Sequence, residues 1–211
     1  MNALELLQKS PVMPVIVIKD IDSAVALAQA LVRGGVRSLE ITLRSAAALD
    51  AIRLIASAVP DALVGVGTVR DARQLDAAVK AGAQFAVSPG LTPGIAKAAS
   101  AASIPFLPGV ASASESMIAA DHGFTVQKLF PAEAIGGVAL LKALYGPLPD
   151  IVFCPTGGIN AANAKKYLDL PNVKCVGGSW LTPGAAVAAR QWDAITQLAL
   201  QACSLASMPA P

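Results

Sequence analysis

The sequence predicts an α/β protein: a (β/α)8 TIM barrel forming one domain over residues 1–211, with a short N-terminal helix before the first strand. Three observations carry that expectation. Short apolar runs alternate with alanine-rich segments of helical spacing, and parallel strands need crossovers of that kind. Turn-forming or polar residues follow the apolar runs, which would gather on one face of such a barrel. No linker or low-complexity stretch divides the 211 residues, a length that one core can serve. A doubly wound open sheet would use the same elements, although its edge strands would tend to be more polar.

In chain order, Met1–Lys9 reads as a short amphipathic helix without the charged, apolar and small-residue regions of a signal peptide. The first strand is expected at Val15–Ile18, the next at Ser38–Thr42, with the helix Asp22–Arg33 between them. Strands Leu63–Val66, Gln84–Val87 and Pro105–Leu107 alternate with helices Ala46–Val59, Ala72–Ala81 and Gly94–Ala101. Ser114–Asp121 is the next helix, ended by Gly123 with His122 as a helix-end residue. The strand Thr125–Lys128 is stopped by Pro131, and Glu133 places an acid in the first turn of a helix reaching Tyr145. Strand Ile151–Cys154, helix Ala161–Leu168, strand Val173–Val176 and a helix after Gly184 complete the pattern, and Ser207–Pro211 reads as a disordered tail.

Composition excludes several classes of function. Hydrophobic residues make up 55% and charged residues 14%, yet Gly, Pro or charge interrupts every apolar run before it could span a bilayer. A net charge of +2 with 16 dispersed basic residues is no nucleic-acid footprint. Cytoplasmic retention is the default. A surface poor in charge suggests that other subunits cover part of it. Cys154, Cys175 and Cys203 lack metal-ligand spacing and read as buried small side chains. No metal or cofactor is expected.

The residues after the strands carry the chemistry. Lys128 stands at the carboxyl end of its strand, where α/β proteins bind ligands. A lysine is protonated at neutral pH and becomes a Schiff-base nucleophile only when desolvation or a neighbouring cation favours the neutral amine. An apolar barrel mouth would supply the first and Arg44 the second, while Arg44 also offers a planar fork for a carboxylate. The alternation Leu39-Glu40-Ile41-Thr42-Leu43-Arg44 puts Glu40, Thr42 and Arg44 on one side of a strand. There Glu40 could shuttle protons for a carbinolamine on Lys128, or form an internal ion pair with Arg44 that only orders the barrel. Together the groups suit retro-aldol cleavage of a 2-keto acid. The turns Thr156-Gly157-Gly158 and Gly178-Ser179 follow the last two strands, where a barrel commonly binds phosphate through backbone amides and a helix amino terminus. Both turns lack Lys and Arg, so dipoles and hydroxyls would hold the anion.

Six segments together, Glu40-Ile41-Thr42-Leu43-Arg44, Gly65-Val66-Gly67-Thr68-Val69, Ser88-Pro89-Gly90-Leu91-Thr92, Lys128-Leu129-Phe130-Pro131-Ala132-Glu133, Pro155-Thr156-Gly157-Gly158-Ile159 and Gly177-Gly178-Ser179-Trp180-Leu181, closely resemble the 2-keto-3-deoxy-6-phosphogluconate (KDPG) aldolase and 4-hydroxy-2-oxoglutarate (KHG) aldolase family, class I aldolases of the Entner–Doudoroff pathway. The resemblance spans nearly the whole chain. It implies a (β/α)8 barrel, a homotrimer, no cofactor, and cleavage of a phosphorylated 2-keto-3-deoxy sugar acid to pyruvate and glyceraldehyde 3-phosphate, with a side activity on KHG. By position it implies that Lys128 forms the Schiff base and Glu40 accepts and donates protons. It further implies that Arg44 and Thr68 bind the carboxylate and that Pro89 and Phe130 shape the pyruvyl pocket. Thr156 would meet the substrate hydroxyl region, and Gly157, Gly158, Gly178 and Ser179 the phosphate. Leu129 departs from a frequent aromatic residue and Val66 from a frequent alanine. The competing expectations are a 6-phosphogalactonate aldolase, for which Pro155-Thr156-Gly157-Gly158 is the wrong sequence, and a silent binding protein for phosphorylated sugar acids.

Overall fold

The chain begins with a capping box: the Asn2 side chain accepts from the Glu5 amide at 2.9 Å, and the Glu5 carboxylate accepts from the Asn2 amide at 3.0 Å. The helix it starts is α1 (Ala3–Leu7), followed by α2 (Ala24–Arg33), α3 (Ala48–Ala58), α4 (Ala72–Lys80), α5 (Pro93–Ala101), α6 (Ala113–Asp121), α7 (Gly137–Tyr145), α8 (Ala164–Leu168), α9 (Gly184–Ala188) and α10 (Trp192–Cys203). The strands are β1 (Val12–Ile16), β2 (Ser38–Thr42), β3 (Leu63–Gly67), β4 (Ala86–Val87), β5 (Phe106–Leu107), β6 (Gly109–Val110), β7 (Val126–Leu129), β8 (Val152–Pro155) and β9 (Val176–Gly178). The computed structural model describes residues 1–205, so the tail expected at 207–211 lies outside the described residues. No helix among them is long and apolar enough to cross a membrane.

Every strand pair is parallel, in a six-stranded sheet of order β5-β4-β3-β2-β1-β9 and a three-stranded sheet β6-β7-β8. The sheet is curled, with helices packed on its outer face. Pro108 is where the chain passes from one sheet to the other. Phe106 and Leu107 pair with β4 while Gly109 and Val110 pair with β7. Pro108 has no N–H to extend a ladder, but its carbonyl accepts from the Lys128 amide at 2.8 Å. The single strand expected at Pro105–Leu107 is therefore two short ones. Parallel bridges Phe153↔Val173 and Thr156↔Gly177 connect β8 with the β9 segment.

Boundaries differ from expectation for local reasons. The first strand occupies Val12–Ile16 because Val12–Pro14 pair with β9 and Val15–Ile16 with β2. The expected helix from Glu133 to Tyr145 is a 3₁₀ turn, Glu133–Ile135, followed by α7, broken by the left-handed backbone at Gly136 and Gly137. The terminal helix is two helices, α9 and α10. His122 ends α6 as expected.

Strand alternation sorts the core into two parts. On β2, Leu39 and Ile41 join the large cluster under the helices, with Leu27, Leu31, Ile52 and Ile195. Ser38, Glu40 and Thr42 face the hollow of the curl. The hollow's floor is a second cluster, Met13, Phe85, Val87, Leu107, Val126, Cys154 and Cys175, closed by Leu6 and Leu7 of α1. Cys175 takes part in a hydrogen bond with Cys154, which together with burial pushes its thiol pKa well up, and such thiols are unreactive. Cys203, expected to be buried, is only partly so.

Leu6 is fully buried, so α1 acts as a plug. Leu6→Ala should lower unfolding free energy by about 2–5 kcal/mol, read by urea denaturation, and a loss near zero would show that the plug is not part of the core.

Candidate active site

Alternation on β2 turns Glu40 into the hollow, and alternation on β7 does the same for Lys128, whose neighbours Gln127 and Leu129 face outward. Gln127 is held there by Ser116 of α6, whose hydroxyl donates to its side-chain oxygen at 2.5 Å. Glu40 and Lys128 belong to different sheets, yet Lys128 Nζ lies 3.5 Å from Glu40 Oε1. Their side chains are 7% and 2% exposed respectively. Glu40 Oε1 makes no hydrogen bond, and its polar contact is this ion pair. Among the described residues the ion pair of Glu40 is to Lys128, which replaces the Glu40–Arg44 pair entertained from sequence. The Lys128 ammonium also lies 5.1 Å from the centroid of the Phe130 ring, within cation–π range.

The pair needs small neighbours. A Cβ at Gly67 would overlap the Glu40 carboxylate, which lies across the end of β3. Thr68, the next residue, has φ +63°. For a β-branched residue this left-handed backbone costs roughly 1–3 kcal/mol. It is imposed from both sides: Leu43 donates to the Gly67 carbonyl at 2.9 Å and Val69 donates to Val87 at 3.1 Å.

Arg44 lies beyond the end of β2, exposed, with Nε donating to Thr42 Oγ1 at 3.1 Å. The Thr42 hydroxyl in turn donates to the Ile16 carbonyl at 2.7 Å. Arg44 and Ser179 line one cavity of about 500 Å³ together with Lys19 and Thr182; Lys19 went unnoticed in the sequence. Pro89 and Phe130 line a smaller cavity of about 150 Å³. The Ser88 hydroxyl shapes its rim, donating to Gly90 O at 2.7 Å and accepting from the Gly109 amide at 3.3 Å. Lys128 and Glu40 line neither cavity.

Thr156 is buried, and its bridge to Gly177 brings the two glycine turns side by side. Gly157 and Gly158 have φ of +104° and +79°, a left-handed backbone that glycine adopts without steric cost. Gly178 is buried at the end of β9, and Ser179 is exposed beside it. The helices after these turns, α8 and α9, have only five residues each and start several residues downstream.

A buried amine paired with a buried carboxylate, in parallel strands that end at one face, can serve a lysine that bonds a carbonyl compound while an acid moves protons. The model of the family described as KDPG and KHG aldolase matches residues 4–198. A 2-dehydro-3-deoxy-phosphogluconate aldolase from Pseudoalteromonas atlantica is 54% identical over 95% of this chain and 94% of its own length. A KHG/KDPG aldolase from Escherichia coli K12 is 52% identical over the same shares. A crystal structure of KDPG aldolase from Legionella pneumophila, with pyruvate captured at low pH as a covalent carbinolamine intermediate, superposes with TM-score 0.95 at 46% identity, covering 96% of this chain and 98% of that one. The chain belongs to the KDPG and KHG aldolase family.

Gly67→Ala would bring a methyl into overlap with Glu40 Oε1, Cγ and Cδ, all side-chain atoms, so the Glu40 side chain must shift. The substitution should displace the Glu40 carboxylate and slow aldehyde release by roughly 10²-fold. Assay beside a thermal melt checks this, and an unslowed enzyme would show that Glu40 need not lie across Gly67.

Proposed function

We propose that the protein is a class I aldolase that cleaves 2-dehydro-3-deoxy-6-phospho-D-gluconate to pyruvate and D-glyceraldehyde 3-phosphate, and that it also cleaves 4-hydroxy-2-oxoglutarate to pyruvate and glyoxylate. The observation that carries the reading is the buried pair of Lys128 and Glu40 at 3.5 Å. The carbinolamine of the Legionella relative supports it, since that intermediate requires an amine nucleophile.

Lys128 Nζ, once it has given a proton to Glu40, attacks the substrate's keto carbon. The carbinolamine loses water with a proton returned from Glu40, leaving a protonated Schiff base. Glu40 then takes the proton of the C4 hydroxyl; the C3–C4 bond breaks, its electron pair moves toward the iminium nitrogen, and the aldehyde leaves. The resulting enamine is protonated at C3, again from Glu40, and water frees pyruvate and restores Lys128. Arg44 and Thr68 take the substrate carboxylate, while Pro89 and Phe130 wall the pyruvyl group. Thr156 meets the hydroxyl-bearing carbons. Gly157, Gly158, Gly178 and Ser179 take the phosphate, with Lys19 in the Ser179 cavity supplying a positive charge.

We also read the curled sheet as a closed (β/α)8 barrel in one domain. The passage of one extended run between sheets at Pro108 and the bridges from β8 to the β9 segment favour closure. A homotrimer is favoured by exposed apolar side chains on α6, Met117 at 55% and Ile118 at 52%. The cytoplasm is where a phosphorylated sugar acid would be met.

Borohydride reduction in the presence of pyruvate should add a pyruvyl group to the peptide containing Lys128 and to no other. Lys128→Ala should lose the adduct and turnover together; activity near the starting level would remove the Schiff-base assignment. Glu40→Gln should slow turnover by about 10²- to 10⁴-fold, the usual span for a general acid–base group, with pyruvate affinity kept. Equal loss of binding would mark Glu40 as structural.

A further inference from the structure

The segment that carries Lys128 ends on Glu133, which the chemistry above does not use. Its Oε1 accepts a hydrogen bond from the hydroxyl of Tyr167 on α8, and Tyr167 is fully buried. Burial first, and the adjacent carboxylate second, push the phenol's pKa upward, so the hydroxyl remains a donor at neutral pH.

The groups around this bond are those of the Thr156–Gly158 turn. The Ala132 amide donates to the Thr156 carbonyl at 2.8 Å, and the Glu133 amide donates to the Gly157 carbonyl at 3.1 Å. Gly158 lies against the Glu133 stem so closely that a Cβ there would stand 2.6 Å from Glu133 Cβ and Cγ. On its far side the turn is tied by Asn163, whose side-chain amide donates to the Gly158 carbonyl at 3.1 Å. Besides these hydrogen bonds, the turn rests on the Glu133 side chain, which the Tyr167 hydroxyl holds in place.

We infer that Tyr167, acting through Glu133, is a positioning residue that holds the Gly157-Gly158 turn where a phosphate on a Lys128-bound substrate can reach it, and so sets the preference for phosphorylated over unphosphorylated 2-keto acids. The inference rests on the assignment of that turn to the phosphate given above. It requires that loosening the bond be felt by the phosphate and not by the reacting carbons.

Steady-state kinetics of Tyr167→Phe with KDPG and with KHG tests this. The KM for KDPG should rise about tenfold, less than the roughly hundredfold that a 1 Å misplacement can cost. kcat with KDPG and both constants for KHG should stay within about twofold, the pattern of lost uniform binding. Glu133→Ala, at an exposed position, should repeat the effect and carry the test if Tyr167→Phe does not fold. Glu133→Gln should restore the KM because its amide oxygen still accepts from the phenol. Equal losses on both substrates, an unchanged KM for KDPG, or a Glu133→Gln variant as impaired as Glu133→Ala would each overturn the inference. A parent enzyme with no lower KM for KDPG than for KHG would overturn the phosphate assignment itself, and the inference with it.

Discussion

The Lys128 ammonium and the Glu40 carboxylate face each other across the hollow of the curled sheet, almost without solvent. Each loses hydration worth on the order of several kcal/mol at such a site, and their attraction restores this only when the geometry is held. Holding it is the task of the surrounding fold. The two residues are supplied by strands of different sheets, so they meet only if the sheet curls. Gly67 must lack a side chain, because the carboxylate occupies the space a Cβ would fill. The floor of Met13, Phe85, Leu107 and Cys154, plugged by Leu6 and Leu7, keeps water from reaching the pair from below. An apolar pair of equal volume would commonly leave such a core as stable or more so. The ion pair is therefore better explained by chemistry than by stability.

The same constraint accounts for the irregular places. Pro108 carries no donor, yet its carbonyl receives the amide of Lys128 itself, so the break in the extended run lies beside Lys128. Thr68 accepts an unfavourable backbone because hydrogen bonds on either side of it hold the chain at the carboxyl end of β3. Gly157 and Gly158 lie on the 131–133 backbone and side chains, so the chain that leaves Lys128 directly supports the neighbouring turn. Short strands of two or three residues are sufficient here because helices and the inner cluster secure them from both faces.

Much of this arrangement is legible from the sequence, wherever a local rule decides it. A period of two assigns Glu40 to one face of β2 and Leu39 and Ile41 to the other, and an apolar run stopped by Pro131 places Lys128 at a strand's carboxyl end. What depends on pairing between distant segments is not legible. Pro105–Leu107 reads as one strand because nothing in Gly109-Val110 announces a second partner on β7. The helix after Glu133 looks continuous because two adjacent glycines signal a break without saying which conformation they adopt. Lys19 lies 160 residues before Ser179 in the chain, by subtraction of their positions, and the pairing of β9 with β1 brings them to one cavity.

Tyr167 illustrates the same limit from the side of burial. In sequence it is one aromatic residue in a lysine-containing helix, and an apolar core position is the ordinary reading. Its hydroxyl makes that reading incomplete, since a buried phenol needs a partner and the absence of one would cost about 1–3 kcal/mol. The partner it finds is the residue that follows Pro131-Ala132 in the strand-ending segment. A hydrogen bond needed to satisfy a buried donor thereby ties α8 to the segment that follows Lys128 and to the glycine turn resting on it. Such a bond both stabilises the packing and limits how far the glycine turn can drift from Lys128, and two consecutive glycines at positive φ need that limit more than an ordinary turn does.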